Sequence, residues 1–302
     1  MRISLTVTNF SWPHASARLA DDLAAIARQA DEGGLDTLWV SDHLLQGEPG
    51  TDPTQEMLEA YTALGYLAAQ THRIRLGAMV SPVTFRAPTL LVKAVTTLDV
   101  LSGGRAWLGL GAGYHQGEAE MMGLFLPRAG ERLDRMEETL RLALQMWAGD
   151  DTPFTGDHYR ATRPLNSPLP LSRPHPPILV GGTGEKRTLR AVAGYADACN
   201  VFDIPDGGTT IRRKLDVLAG HCAALGRPYE TIETIVSTRL GATEPTAAFV
   251  DRCGRFAELG LDHAVVLTSG PWTPDAVARL VEAVPAVSTT TAERPGSPAA
   301  GR

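Results

Sequence analysis

An acid and an imidazole stand side by side in Ser41-Asp42-His43, directly after the β-rich run Thr37-Leu38-Trp39-Val40. Histidine changes charge nearest neutral pH, and an adjacent carboxylate can orient it, so Asp42 and His43 could exchange a proton with a reacting atom. A pair that merely caps a loop is the competing reading, and position alone leaves both open. A second candidate, Gly181-Gly182-Thr183-Gly184-Glu185, follows Pro177 to Val180 and runs into a helical pattern. Amides exposed at a helix start, with glycines permitting close approach, form an anion cradle suited to phosphate. A third, Gly109-Leu110-Gly111-Ala112-Gly113-Tyr114, resembles a dinucleotide fingerprint. That motif needs a helix to open at once and an acid about 20 residues on. Here the next helical pattern starts only near Glu131. A loop in which Gly111 and Gly113 bring backbone close to an aromatic ring system, beside Tyr114, fits better. Small residues in Gly77-Ala78-Met79-Val80-Ser81-Pro82 could serve a flat ligand in the same way.

Other chemistries find little support. The chain has no His-Glu-x-x-His, clustered metal ligands, Walker loop or Gly-x-Ser-x-Gly elbow, so no metal and no hydrolytic mechanism is expected. Net charge is −6 without a basic stripe, which argues against nucleic acid. No run of about 18 apolar residues exists, and the chain starts on the alternating strand Arg2 to Val7, so a cytoplasmic protein with no membrane partner is expected. Cys199, Cys222 and Cys253 are odd in number and widely spaced, which predicts reduced cysteines packed as small hydrophobes.

Strand-like runs alternate with helical patterns along the whole chain, at Arg2–Val7, Thr37–Val40, Ile74–Val80, Ala106–Leu110, Pro177–Val180, Ala198–Val201, Ile232–Thr238 and Ala264–Leu267. Eight such βα units predict an α/β fold, a single (β/α)8 TIM barrel over residues 1–285. The Ser-, Thr-, Pro- and Ala-rich residues 286–302 are expected to be a disordered tail. Two stretches break the rhythm: Leu44–Pro53, and the Pro-rich insertion Ala148–Pro176 between the fourth helix and fifth strand. Long loops in compact domains are often lids, so both are expected to shape the substrate pocket. A glycine followed by an acid recurs before strands at Gly34/Asp36, Gly194/Asp197 and Gly260/Asp262, a turn device. Asp99 and Arg105 are expected to tie the third helix to the fourth strand, and His72, His221 and His263 to be surface or capping residues.

As an ensemble these segments resemble the bacterial luciferase-like monooxygenase superfamily. The match rests on Ser41-Asp42-His43, Arg75-Leu76-Gly77, Phe85-Arg86-Ala87-Pro88, Leu98-Asp99-Val100-Leu101-Ser102-Gly103-Gly104-Arg105, Gly109 to Glu118, Val180 to Gly184 and Tyr195-Ala196-Asp197. It spans residues 1 to 285 in order and is closest to the branch using the deazaflavin coenzyme F420. The resemblance implies a ring across the strand ends, backed by a non-proline cis peptide at Met79–Val80 beside Ser81. It implies a phosphate loop at Gly181 to Glu185, and Asp42 and His43 near the ring's polar edge and the reaction centre. Members are often homodimers. In some deazaflavin dehydrogenases an acid directly follows the strand-four glycines, where this chain has Tyr114, so a sugar-phosphate dehydrogenase activity does not carry over.

The leading reading is an F420-dependent oxidoreductase moving a hydride to or from an unsaturated or carbonyl small molecule, with His43 as proton donor or acceptor. An FMN-dependent monooxygenase of the same family is the alternative, since FMN would use the same barrel and phosphate loop. The arginine-over-lysine bias of a GC-rich genome, a setting where the deazaflavin is common, tilts the choice to F420. A non-catalytic flavin-binding barrel and a cofactor-free barrel hydrolase are the readings from other classes.

Overall fold

The computed structural model describes residues 1–47 and 51–290. Eight parallel strands close into a barrel: Arg2–Val7 (β1), Thr37–Val40 (β2), Arg75–Ala78 (β3), Ala106–Gly111 (β5), Ile178–Val180 (β8), Ala198–Phe202 (β9), Glu233–Arg239 (β10) and His263–Leu267 (β11). Closure comes from β3 pairing β5, with Leu76 opposite Ala106 and Gly77 opposite Trp107. Beyond a break after β3, Ser81–Pro82 (β4) pairs β5 at Leu110 and Gly111. The outer helices are Leu19–Glu32 (α1), Ala60–Gln70 (α2), Pro88–Ser102 (α3), Ala129–Trp147 (α5), Thr188–Tyr195 (α6), Thr209–Leu225 (α7), Thr246–Glu258 (α8) and Pro274–Ser288 (α9). A short extra helix, Gln116–Met122 (α4), follows β5. The apolar strand residues that face out pack under the helices. Those that face in, among them Trp39, Trp107, Leu179, Ile235 and Val265, fill the barrel as a second core. Gly77 is the gap that admits the indoles, because a Cβ there would stand 2.7 Å from the Trp39 ring. Cys199, Cys222 and Cys253 are all buried and free.

His263 does not sit on the surface. It is fully buried inside the N-terminal end of the barrel, Nε2 2.5 Å from Ser4 Oγ and Nδ1 2.6 Å from Glu233 Oε1. Strand alternation turns it inward, which a residue read as preceding its strand did not reveal. Ser4 Oγ also accepts the Thr37 amide at 2.9 Å, and Arg2 pairs with Glu233. This sealed polar plug occupies the face of the barrel that contributes stability and not chemistry.

The insertion overturns its expected role. No residue of 148–176 borders the cavity at the C-terminal strand ends. A loop leading from a helix into a strand must enter at the barrel's N-terminal face, opposite the loops that follow strands. The segment carries the small hairpin Phe154–Thr155 (β6) and Arg160–Ala161 (β7). Glu138 holds the hairpin by accepting the Asp157 and Tyr159 amides at 2.7 and 2.9 Å. Asp99, fully buried, accepts from the Leu171 and Ser172 amides at 2.6 and 2.9 Å and from Ser172 Oγ at 2.6 Å. Its partners are thus in the insertion. Arg105 alone does the tying, to carbonyls of Ala68, Thr71, Ile74 and Ser102. Asp99→Ala would strand three donors, so the expected cost is about 3 kcal/mol and roughly 5 °C in Tm. Activity per folded molecule should change less than about twofold, because the anchored segment lies away from the site. Thermal unfolding run beside steady-state kinetics checks this, and a folded but inactive variant would refute the separation.

The glycine–acid junctions also resolve differently from one another. Gly34 and Gly260 have φ of 77° and 83°, as helix-ending glycines do, whereas Gly194 lies within α6. The acids are staples between strands: Asp197 accepts the Ile178 amide at 2.8 Å and Asp262 the Thr234 amide at 2.9 Å. Helix α9 runs through Pro285 to Ser288 with Val287 buried, so the barrel extends three residues past its expected end. The remainder of the expected tail, beyond residue 290, lies outside the described residues, as do residues 48–50 of the loop after β2.

Candidate functional site

A cavity of about 430 Å³ opens at the C-terminal ends of the strands. Its apolar floor is Met79 and Val80, joined by a cis peptide bond where the resemblance implied one. Three glycines make room for the backbone and side chain of the Ala78–Val80 segment. A Cβ at Gly109 would stand 1.9 Å from the Ala78 carbonyl oxygen, one at Gly111 2.6 Å from Val80 Cγ2, and one at Gly181 2.8 Å from the same carbon. Gly111 therefore packs against Val80 and does not border the cavity, which corrects its expected role beside a ring. Gly113, at φ 77°, does border it.

His43 lines one wall. Its Nδ1 lies 2.7 Å from Glu118 Oε2, and Glu118 is only 1% exposed. Glu118 Oε1 also accepts the Leu44 and Leu45 amides at 2.5 and 3.2 Å, so one carboxylate fixes both the imidazole and the loop after β2. Burial raises this carboxyl's pKa, but the hydrogen bond and charge of His43 and the two amides outweigh it, leaving it below its ordinary 4.5. Between the two values the unfolded chain binds a proton that the folded one does not. This part of the stability is complete above 4.5 and is lost as pH falls through the folded value. Glu118→Gln should therefore flatten the fall in urea midpoint that the wild type shows below about pH 5. Superimposable midpoint profiles for the two proteins would rule out this coupling.

Glu118 was not a candidate from sequence, because the short helix α4 that carries it falls where no helical pattern had been read. The available signal was His115, whose Nδ1 caps α4 by accepting the Glu118 amide at 3.0 Å. Asp42, by contrast, does not orient His43 and does not border the cavity. Its buried carboxylate is held bidentately by Arg86, at 2.5 and 3.0 Å, and Arg86 also pairs with Glu59. Successive residues at a strand end point to opposite sides, so the neighbours part company. Ser81 is likewise turned away, its Oγ 3.1 Å from the Tyr61 hydroxyl.

In the glycine loop after β8, Gly181 and Gly182 border the cavity and Gly182 has φ 103°. The Gly181 amide is bonded to Leu110 O, while those of Gly182, Thr183 and Gly184 have no acceptor among the described residues. The helix does not start at once: a turn over residues 185–187 precedes α6. Glu185 faces away from the cavity, pairing with Lys214 and Arg213 while its carbonyl meets His221 Nε2 at 2.7 Å. The opposite wall, also not anticipated, carries Asn200, Ser237 and Thr238.

Residues 1–292 match the family model described as luciferase-like monooxygenase. The chain belongs to the luciferase-like monooxygenase family. An F420-dependent glucose-6-phosphate dehydrogenase of Kineococcus radiotolerans is 30% identical over 270 residues, 87% of this chain and 76% of the relative. The luciferase-like barrel superposes on an F420-dependent secondary alcohol dehydrogenase in complex with an F420-acetone adduct, with TM-score 0.80 and 16% identity, covering 95% of this chain and 98% of the other. It also matches the oxygenating constituent of 3,6-diketocamphane monooxygenase from Pseudomonas putida, in complex with FMN, with TM-score 0.72 and 16% identity over 97% and 98% of the chains. Among the described residues of this luciferase-like protein, no helix is long and apolar enough to cross a membrane, and no group of three or more His, Cys, Asp or Glu could hold a metal ion.

Proposed function

We propose that this chain is a coenzyme F420-dependent oxidoreductase that moves a hydride between the deazaflavin and an unsaturated or carbonyl small molecule. The observation that carries the reading is His43, seated through Nδ1 on a buried carboxylate while its ring borders the same cavity as Met79 and Val80. The residues present fit the cofactor. Met79 and Val80 give the cavity an apolar floor, and a Cβ at Gly181 would drive into Val80. The uncommitted amides of Gly182, Thr183 and Gly184 suit a phosphate, as backbone N–H groups beside a helix start do. Bound there, a deazaflavin supplies the hydride-exchanging centre. The chain's own part is to orient substrate, exclude water and handle the proton. His43 Nε2 gives or takes that proton, and Glu118 holds the ring's orientation and balances its charge.

The F420-dependent relative supports the deazaflavin. An FMN-dependent monooxygenase is the second reading, because a solved neighbour holds FMN on the same fold. A non-catalytic flavin-binding barrel leaves the His43–Glu118 pair without a purpose. Titrating the purified protein with F420 and with FMN, followed by fluorescence quenching, tests the assignment. Saturable binding of F420 at least about tenfold tighter than FMN is expected, a difference of about 1.4 kcal/mol. Tight binding of FMN alone would overturn it.

A further inference from the structure

A second cavity, of about 360 Å³, lies on the outside of the barrel between α5 and α6, with Leu225 of α7 on its border. It shares no bordering residue with the cavity at the strand ends. Helical spacing makes it. Residues 187, 190, 191, 194 and 195 recur along α6 and the turn before it, and residues 133, 136 and 137 along α5. Positions three and four apart fall on one side of a helix, so each set is a stripe and the two border one groove. The α6 stripe carries Ala191 and Gly194 where larger side chains would fill the gap. A Cβ at Gly194 would meet only Leu225 Cδ1, at 4.0 Å. Leu133, Met136 and Leu225 line the groove with apolar surface, and Leu225 is left 49% exposed.

The charged border is unbalanced. Lys186, Arg187 and Arg190 stand against one carboxylate, Glu137. Glu137 Oε1 accepts the Tyr195 hydroxyl at 3.1 Å. Arg187 is committed to Asp134 Oδ1 at 2.6 Å and to the Gly130 carbonyl at 3.1 Å. The side chains of Lys186 and Arg190 have no hydrogen bond or ion pair among the described residues, in a chain whose net charge is −6. An anion would give these two cations the partner they lack, and an apolar body attached to it would cover the leucines and Met136. The volume falls in the range of small-molecule sites, whereas a stable protein partner needs roughly 1,000 Å² of complementary surface.

We propose that this groove is a second ligand site that takes a small amphipathic carboxylate, its charge on Lys186 and Arg190 and its apolar body against Leu133, Met136 and Leu225. The site is independent of the redox cofactor and of the chemistry at the strand ends.

Calorimetric titration of the purified protein with 2-naphthoate tests it, with 2-naphthamide as the uncharged molecule of the same shape. Naphthoate should bind at one site with a Kd of about 0.1–1 mM, as an efficient ligand of roughly a dozen heavy atoms does. The amide should bind at least about tenfold more weakly. Added salt should weaken naphthoate and leave the amide unchanged, because the cations are exposed. Equal affinity for the two molecules, or no binding of naphthoate, overturns the proposal. The double variant Lys186→Glu with Arg190→Glu should keep the wild-type Tm and lose at least about tenfold in naphthoate affinity. Gly194→Leu puts a side chain into the groove and a better helix former into α6, so binding should vanish while Tm holds or rises. A Gly194→Leu protein that folds and still binds naphthoate places the ligand elsewhere. Saturation with whichever of F420 and FMN quenches fluorescence should leave the naphthoate Kd within about twofold, and competition would assign the ligand to the strand-end cavity. Sedimentation velocity should give the double variant the oligomeric state of the wild type. A dimer lost in that variant would make the groove an interface between copies and defeat the small-molecule reading.

Discussion

His43→Ala is expected to lower turnover by about 10²–10⁴-fold while F420 affinity stays within a few-fold of the wild type. The two effects should separate because, on the proposed function, the ring that would give or take the proton is not the surface that would hold the cofactor. On that proposal affinity would rest on Met79, Val80 and the glycine loop after β8, which border the cavity apart from the imidazole. The variant also leaves Glu118 without its partner at 2.7 Å, but that carboxylate keeps the Leu44 and Leu45 amides, so the loop after β2 should hold. Steady-state kinetics with a fluorescence titration on the same preparation measures both quantities. Unchanged turnover would remove His43 from the chemistry. The informative companion is Asp42→Asn, one position earlier. Its carboxylate serves Arg86 inside the protein, so its loss should appear mainly as a lower Tm and much less as a lower kcat. A variant that stays as stable as the wild type yet is inactive would restore the adjacent acid to the mechanism.

Gly109→Ala is expected to be the most damaging small substitution in the barrel. The added methyl would stand 1.9 Å from the Ala78 carbonyl oxygen, which is backbone and cannot swing aside. Relief requires β5 to move away from the end of β3, where the two strands close the barrel and where the floor under Val80 begins. Overpacking of this kind costs about 3 kcal/mol or more, which corresponds to roughly 5 °C or more in Tm for a chain of this size. F420 quenching should weaken with it, since the floor shifts. Gly65→Ala is the control: it lies within α2 with nothing within 4 Å of the added methyl. Alanine there should stabilise by about 0.5–1 kcal/mol through helix propensity. Near-equal Tm values for Gly109→Ala and the wild type would show that the strand ends tolerate separation and that the glycines serve another purpose.

The sequence by itself determined the alternation, and with it the barrel. Strand-like runs at Arg2–Val7 or Ala198–Val201 and 3.6-residue stripes such as Leu133 to Trp147 are local patterns, and eight of each in order leave one common closed architecture. The cavity-facing position of His43 after β2 and the glycine loop after β8 were legible for the same reason, because in a barrel the end of each strand is where the open face must be. What adjacency in the chain could not convey is direction. Asp42 and His43 are neighbours in sequence, yet one points to Arg86 and the other to Glu118, 75 residues away. His263 looked like a residue before a strand and proved to be inside the barrel. Residues 148–176 looked like a lid and lie at the other face, because a helix-to-strand loop emerges at the N-terminal end. Gly111 was read as a ring contact, and with Gly109 it makes the space that Val80 and the Ala78 carbonyl occupy. Apart from the insertion, these were decided by which side of a strand a residue faces once the sheet has closed. Closure is a contact between β3 and β5, and no local periodicity records it.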